Sequence, residues 1–287
     1  MSDRRNPIDE FQSMFRRAER EPYNYAKVPL ETAAIIVDGN HHQAEKQRDE
    51  VLQFLPRLET VSNWRLIDGS QYDNVNDLLR LIDELQTDLL ITHRHLQEGA
   101  MLPQHSLGVY LDVLTQATSI PVLVLPGTAS KPISLQERIC NRVLVVTDHI
   151  TGDHRLINYG VRMCAQGGTV WLCHVEDDAV FSRYMNAISR IPEIDTDQAR
   201  ELIDRQLLKE ADDFIQTCIA ELRTDGPKIT YHGEVLRGHR LHEYRKLIDE
   251  HEIDLVVTNT KDEDQLAMHG LAYSMSVEWT DIAMLLL

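Results

Sequence analysis

Positive charge is scarce in this 287-residue chain: 29 Lys and Arg stand against 46 Asp and Glu, a formal net charge of −17. A field of that sign repels phosphate backbones and anionic lipid surfaces, so nucleic acid is not an expected partner. A nucleotide is not excluded, because its site is built from local amides and helix ends rather than from overall charge. Long apolar runs are missing too. Nothing approaches the roughly 20 residues that cross a bilayer, and the opening Met1-Ser-Asp-Arg-Arg-Asn6 lacks a signal peptide's apolar stretch. The chain is expected to be cytoplasmic and not membrane-inserted. Its four cysteines, Cys140, Cys164, Cys173 and Cys218, show no CxxC spacing and read as reduced thiols. Hydrolase and kinase signatures are also absent: there is no GxSxG elbow, no P-loop, no SGGxDS-like pyrophosphatase loop and no HExxH. A non-catalytic globular protein is predicted.

What the chain does have is a duplicated phrase. Leu81-Ile-Asp-Glu-Leu-Gln-Thr-Asp-Leu-Leu-Ile-Thr92 returns as Leu247-Ile-Asp-Glu-His-Glu-Ile-Asp-Leu-Val-Val-Thr258, with seven of the twelve positions identical. Each copy reads as a helix end running into a buried strand. A second matched pair follows in the same order: Gly108 to Leu125 and Gly270 to Leu287 are both eighteen residues long and both close on an apolar strand. Paired repeats in one order predict a tandem α/β unit.

The first unit opens on the apolar run Ala33–Asp38, followed by a helix over about 41–55, a strand over 61–67 and a helix over 74–85. Strand Asp88–Thr92, a helix from Gly108 and strand Ile120–Leu125 complete it, and Pro126-Gly-Thr-Ala-Ser-Lys-Pro132 reads as linker sequence. The second unit opens on Arg142–Asp148. Its further expectations are strand Thr169–Val175, an irregular stretch over 182–194 and a long helix over 196–222. Strand Lys228–Val235, a turn at Leu236–Arg240, strand Asp254–Thr258 and a terminal strand follow. From Asp38 to Leu81 is 43 residues but from Asp148 to Leu247 is 99, so the first unit is abbreviated by about one strand and one helix. The expected divisions are an N-terminal arm (1–30), an abbreviated domain (31–127), a linker (128–138) and a full domain (139–287). In the arm, Ile8, Phe11, Met14 and Phe15 share a helical face, suited to docking on the chain's own body or to an adaptor role.

The order of these phrases resembles the universal stress protein family in tandem form. The residues carrying the likeness are the strand-end Asp38 and Asp148, Leu172-Cys-His-Val175, the Val235-Leu-Arg-Gly238 turn and the duplicated Asp-Leu phrase before each final helix. The resemblance implies two open parallel sheets of the adenine-nucleotide-hydrolase type, packed as an internal pseudo-dimer through their closing strands at Leu125 and Leu287. It also implies a regulatory binding protein that senses an adenine nucleotide, ATP or AMP, or a small anion. Family members that bind ATP carry G-x-x-G-x9-G-S/T after the fourth strand, whose glycines admit phosphates to backbone amides. Here His93 and Leu96 replace the first two glycines in one copy, and Asn259 and Asp262 in the other. Gly108 and Gly270 stand for the third, each followed by an apolar residue. The degenerate site carried over is therefore Asp148, Gly238, Asn259 and Gly270 in the second unit, and Asp38, His93 and Gly108 in the first.

Side chains offer a second route to an anion. His93-Arg94-His95 and Arg237, His239 and Arg240 are expected at C-terminal strand ends, the ligand edge of an open parallel sheet. As metal ligands the thirteen histidines lack a motif, and the bland reading makes them solvated loop residues. Trp171 and Trp279 fit core positions. Two other functions stay open: slow Mg²⁺-dependent ATP hydrolysis with Asp262 or Asp264 holding the cation, and a purely structural adaptor without ligand. Protein partners, and a homodimer beyond the internal pairing, are expected from the same resemblance.

Overall fold

A computed structural model describes residues 23–98, 106–147, 154–260, 268 and 270–287. The first half runs β1 (Thr32–Ile36), α1 (His41–Phe54), a 3-10 turn (Pro56–Thr60), β2 (Asn63–Ile67), α2 (Val75–Leu85), β3 (Leu89–Arg94), α3 (Val109–Ala117), β4 (Val122–Thr128) and β5 (Lys131–Pro132). The second runs β6 (Arg142–Val146), α4 (His154–Met163), β7 (Thr169–Asp177), α5 (Asp178–Ile188), α6 (Thr196–Asp225), β8 (Thr230–Gly238), α7 (Arg240–Glu250), β9 (Leu255–Thr258), α8 (Gly270–Glu278) and β10 (Ala283–Leu286). No helix among the described residues is long and apolar enough to cross a membrane.

All ten strands belong to one sheet, ordered β2-β1-β3-β4-β10-β9-β6-β7-β8 with β5 folded against β4. Neighbours are parallel except at that small hairpin and at the centre, where β4 meets β10 antiparallel. There Val122 pairs with Leu286, Leu123 with Leu285 and Val124 with Met284. Over the inner strands both sheet faces are covered, which is why β1, β3, β4, β6, β9 and β10 are apolar without alternation. In β1, Ala33 and Ile35 enter one core while Ala34 and Ile36 enter the other; in β6, Val143 and Val145 are divided from Leu144 and Val146 in the same way. Each core crosses the central seam, so the two halves share their hydrophobic interior.

The duplicated phrase has a structural cause. Asp88 accepts the Glu31 and Thr32 amides at 2.8 and 2.9 Å, fixing the start of β1. Asp254, its counterpart, accepts the Asn141 and Arg142 amides at 3.0 Å and fixes the start of β6. Just upstream, Gln86 and Glu252 both adopt left-handed backbone (φ 46° and 47°), turning each preceding helix into its strand. The helix starts follow from their caps. Asn40 and Gln43 form a reciprocal capping box at α1, and the Asn74 and Asp195 side chains accept amides opening α2 and α6.

Three expectations need correction. Residues 182–194 are not irregular throughout: α5 runs to Ile188, started by the Asp177 side chain and anchored by buried Phe181 and Met185. β8 continues through the turn expected at Leu236–Arg240 because it pairs with β7 as far as Gly238. The sequence read as linker is built into the body, with Pro126–Thr128 in β4, the Gly127 amide on the Thr280 carbonyl and Leu135 in the core.

Candidate functional site

In the first half, the C-terminal edge of the sheet is closed by the chain itself. Asp38 follows β1, and its Oδ1 accepts the Gln97 amide at 2.9 Å. Burial raises the Asp38 carboxyl above its ordinary value; the Gln97 amide opposes this and the nearby Glu98 charge adds to it. Glu98 occupies the position where an anion would meet α3. Its Oε1 accepts the Val109 amide at 2.6 Å, the first amide of that helix, and its Oε2 lies 2.9 Å from His95 Nδ1. A carboxylate there complements the helix dipole as a phosphate would. Gly108 has φ 86° and ψ 153°, a conformation essentially restricted to glycine. A Cβ added there would stand 2.7 Å from Glu98 Oε2 and 2.8 Å from His95 Cα. The glycine therefore serves the close approach of the protein's own loop.

His93 and Arg94 are not solvated loop residues. Both lie in β3, which continues past Thr92, and they are 5% and 0% exposed. The His93 Nε2 meets Gln47 Oε1 at 2.9 Å, and burial followed by repulsion from Arg94 lowers its pKa to about 4. The Arg94 guanidinium points into the seam rather than toward a ligand. Nε donates to the Ser276 carbonyl at 2.8 Å, Nη1 to Leu125 at 3.2 Å and Nη2 to Trp279 at 3.1 Å. Burial lowers its pKa to about 10, partly offset by Asp281. An arginine of the first half thus binds main-chain oxygens of the second.

In the second half the expected residues separate into groups. Arg237 is engaged by Asp178 at 2.7 Å and Asp204 at 2.5 Å, and its guanidinium lies 4.6 Å from the centre of the Phe181 ring. Its charge ties α5 and α6 to the end of β8, at the strand end where an anion-binding group was expected. The Glu243 side chain packs over Gly238, with Cγ 2.8 Å from where a Cβ would stand. His239 is the exposed residue before α7, and Arg240 Nε donates to the Val175 carbonyl at 3.1 Å. Nearer the centre, half-buried Asn259 follows β9 and exposed Gly270 opens α8, with no described atom within 4 Å of a Cβ there. Asp148 and the 262–264 carboxylates lie outside the described residues. Buried His174, part of the Leu172–Val175 phrase but not among the expected site residues, joins the same edge: its Nδ1 is 2.7 Å from the Thr147 carbonyl and its Nε2 3.3 Å from Glu176. No group of three or more metal-ligating side chains occurs among the described residues. A surface depression of about 560 Å³ on the outer face of α1 is lined by charged side chains including Glu45, Lys46 and Asp49, away from either edge.

This mostly parallel, helix-covered sheet defines an open α/β protein. Residues 140–270, just under half of the chain, match the Universal stress protein family. No curated protein matches the chain. Among solved structures it is similar to a universal stress protein from Archaeoglobus fulgidus, at 10% identity over 97% of this chain and 90% of that one, with a TM-score of 0.45. The functionally unknown protein PA1789 from Pseudomonas aeruginosa matches at 11% identity over 90% and 92% of the two chains, with a TM-score of 0.49. UspA from Lactobacillus plantarum matches at 15% identity, covering 50% of this chain and 97% of its own, with a TM-score of 0.36.

Proposed function

We propose that this is a non-catalytic, universal stress-like regulatory protein: two such units in one polypeptide, paired through their closing strands, with ligand binding left to the second unit alone. The observation that carries the reading is the closed helix start of the first unit. At α3 the Glu98 carboxylate already accepts the amide that a phosphate would use, and Gly108 is filled by the loop. Repulsion makes a bound phosphate beside Glu98 unfavourable in a half-buried setting. The equivalent roles of Asp88 and Asp254, and the β4–β10 pairing, support the reading of two copies facing each other.

ATP, AMP or a small anion is the ligand class this reading admits, with Asp148, Asn259 and Gly270 around it. The test is native mass spectrometry of the intact chain with ATP and with AMP, alongside calorimetric titration. The expected result is no more than one nucleotide per chain, with Gly270→Asp abolishing whatever binds. Two nucleotides per chain would overturn the assignment of the first unit as closed. Phosphate release from ATP that depends on Mg²⁺ and is lost in Asp262→Asn would replace the non-catalytic reading with slow hydrolysis. No binding under any condition would leave a partner-binding module without a nucleotide.

A further inference from the structure

The thirty-residue helix α6 buries side chains only along its C-terminal half. Its buried residues are Ala211, Ile215, Cys218, Ile219 and Leu222, which share one face over β8; the first four turns bury none. Together with α5 those turns form a helical hairpin leaving the sheet, and its tip exposes apolar side chains: Ile191 at 44%, Ile194 at 40% and Leu202 at 53%. The hairpin is not loose. Arg237 grips Asp178 on α5 and Asp204 on α6 at once, so the tip is presented in a fixed place. Exposed branched aliphatics clustered on a held element mark a surface that another segment covers.

We infer that the occupant is the chain's own N-terminal segment, residues 8–20. The described chain begins against the same helix. The Tyr23 hydroxyl donates to Asn158 at 2.7 Å and the Tyr25 amide reaches Glu221 on α6 at 3.5 Å. From Glu221 back to Leu202 is about 28 Å at the helical rise of 1.5 Å per residue. The ten residues from Tyr25 back to Phe15 can span about 33 Å when extended, so Phe15 and the residues before it reach the tip without strain. The chemistry matches on both counts. Ile8, Phe11, Met14 and Phe15 supply an apolar stripe at helical spacing. Asp9 and Glu10 lie at the start of the segment, and its positive charge follows the stripe: residues 16–20 carry three arginines (Arg16, Arg17, Arg20) against Glu19, while residues 191–204 carry five carboxylates against one arginine. A helix this short is unstable alone and gains its order by docking.

Hydrogen exchange followed by mass spectrometry on the intact chain tests this, comparing wild type with Phe11→Asp/Phe15→Asp and, separately, with Leu202→Asp. Backbone amides of residues 196–208 should exchange at least tenfold faster in both variants, and amides of residues 8–16 should lose protection in Leu202→Asp. Native mass should remain that of one chain throughout. Unchanged exchange in the arm variant would overturn the inference even if Leu202→Asp frays the helix locally. Protection that rises with protein concentration and travels with a doubled native mass would assign the surface to a second copy instead. Loss of protection at Leu202→Asp without any change in residues 8–16 would exclude the arm as the occupant.

Discussion

Arg94→Met tests whether the seam between the halves is held by more than apolar packing. The guanidinium makes three hydrogen bonds to main-chain carbonyls, two of them, Ser276 and Trp279, on the far side of the β4–β10 pairing. Methionine fills similar space but donates nothing, so three buried oxygens lose their partner. Each orphaned acceptor costs on the order of 1–3 kcal/mol. Against that stands the cost of burying the cation, which its lowered pKa of about 10 reflects. Removing the charge recovers that burial cost, on the order of 3 kcal/mol. The net loss expected is on the order of 3 kcal/mol at mid-range, comparable to breaking one side of a buried polar pair. Urea unfolding monitored by Trp279, which is buried at the seam, should show a lower midpoint and an unchanged slope. A midpoint at or above that of the parent would refute the reasoning, because the carbonyls would then be satisfied without Arg94.

Other perturbations probe the remaining elements. His93 is buried with a pKa of about 4, below its unfolded value near 6.5, so the unfolded state binds the extra proton between those limits. Stability is therefore lost as pH falls from about 6.5 to 4, by about 3 kcal/mol for this group. His93→Gln should flatten that part of the curve, and parallel pH profiles of the two proteins would count against it. Gly108→Ala forces a side chain into a φ of 86° and against Glu98, and should cost about 2–3 kcal/mol by thermal or chemical melting; a neutral effect would show that the loop yields. Asp88→Ala and Asp254→Ala should each lose about 1–3 kcal/mol through their paired amide bonds, with effects of similar size. A strong effect at only one site would argue that the two halves use the repeated phrase differently.

Much of the fold was legible because it rests on local pattern. Continuous apolar runs marked strands buried on both faces, and the twelve-residue repeat recorded a recurring need: a left-handed turn and a carboxylate to seat the next strand. The site was less legible. His93 and Arg94 read as loop residues because their type favours solvent, yet β3 extends two residues further and carries both inside. Arg237 read as an anion binder because its acidic partners, Asp178 and Asp204, lie 59 and 33 positions away along the chain. Glu98 carried no signal at all, being one acidic residue among many until the loop brought it onto α3.

By itself the amino-acid order determined the α/β alternation, the strands buried on both faces and the duplicated phrase, since periodicity and duplication are properties of neighbours. Only the tertiary structure decided which charges are spent internally. Whether a side chain meets solvent, a ligand or the chain itself depends on partners tens to hundreds of residues distant, as with Arg94 and Trp279.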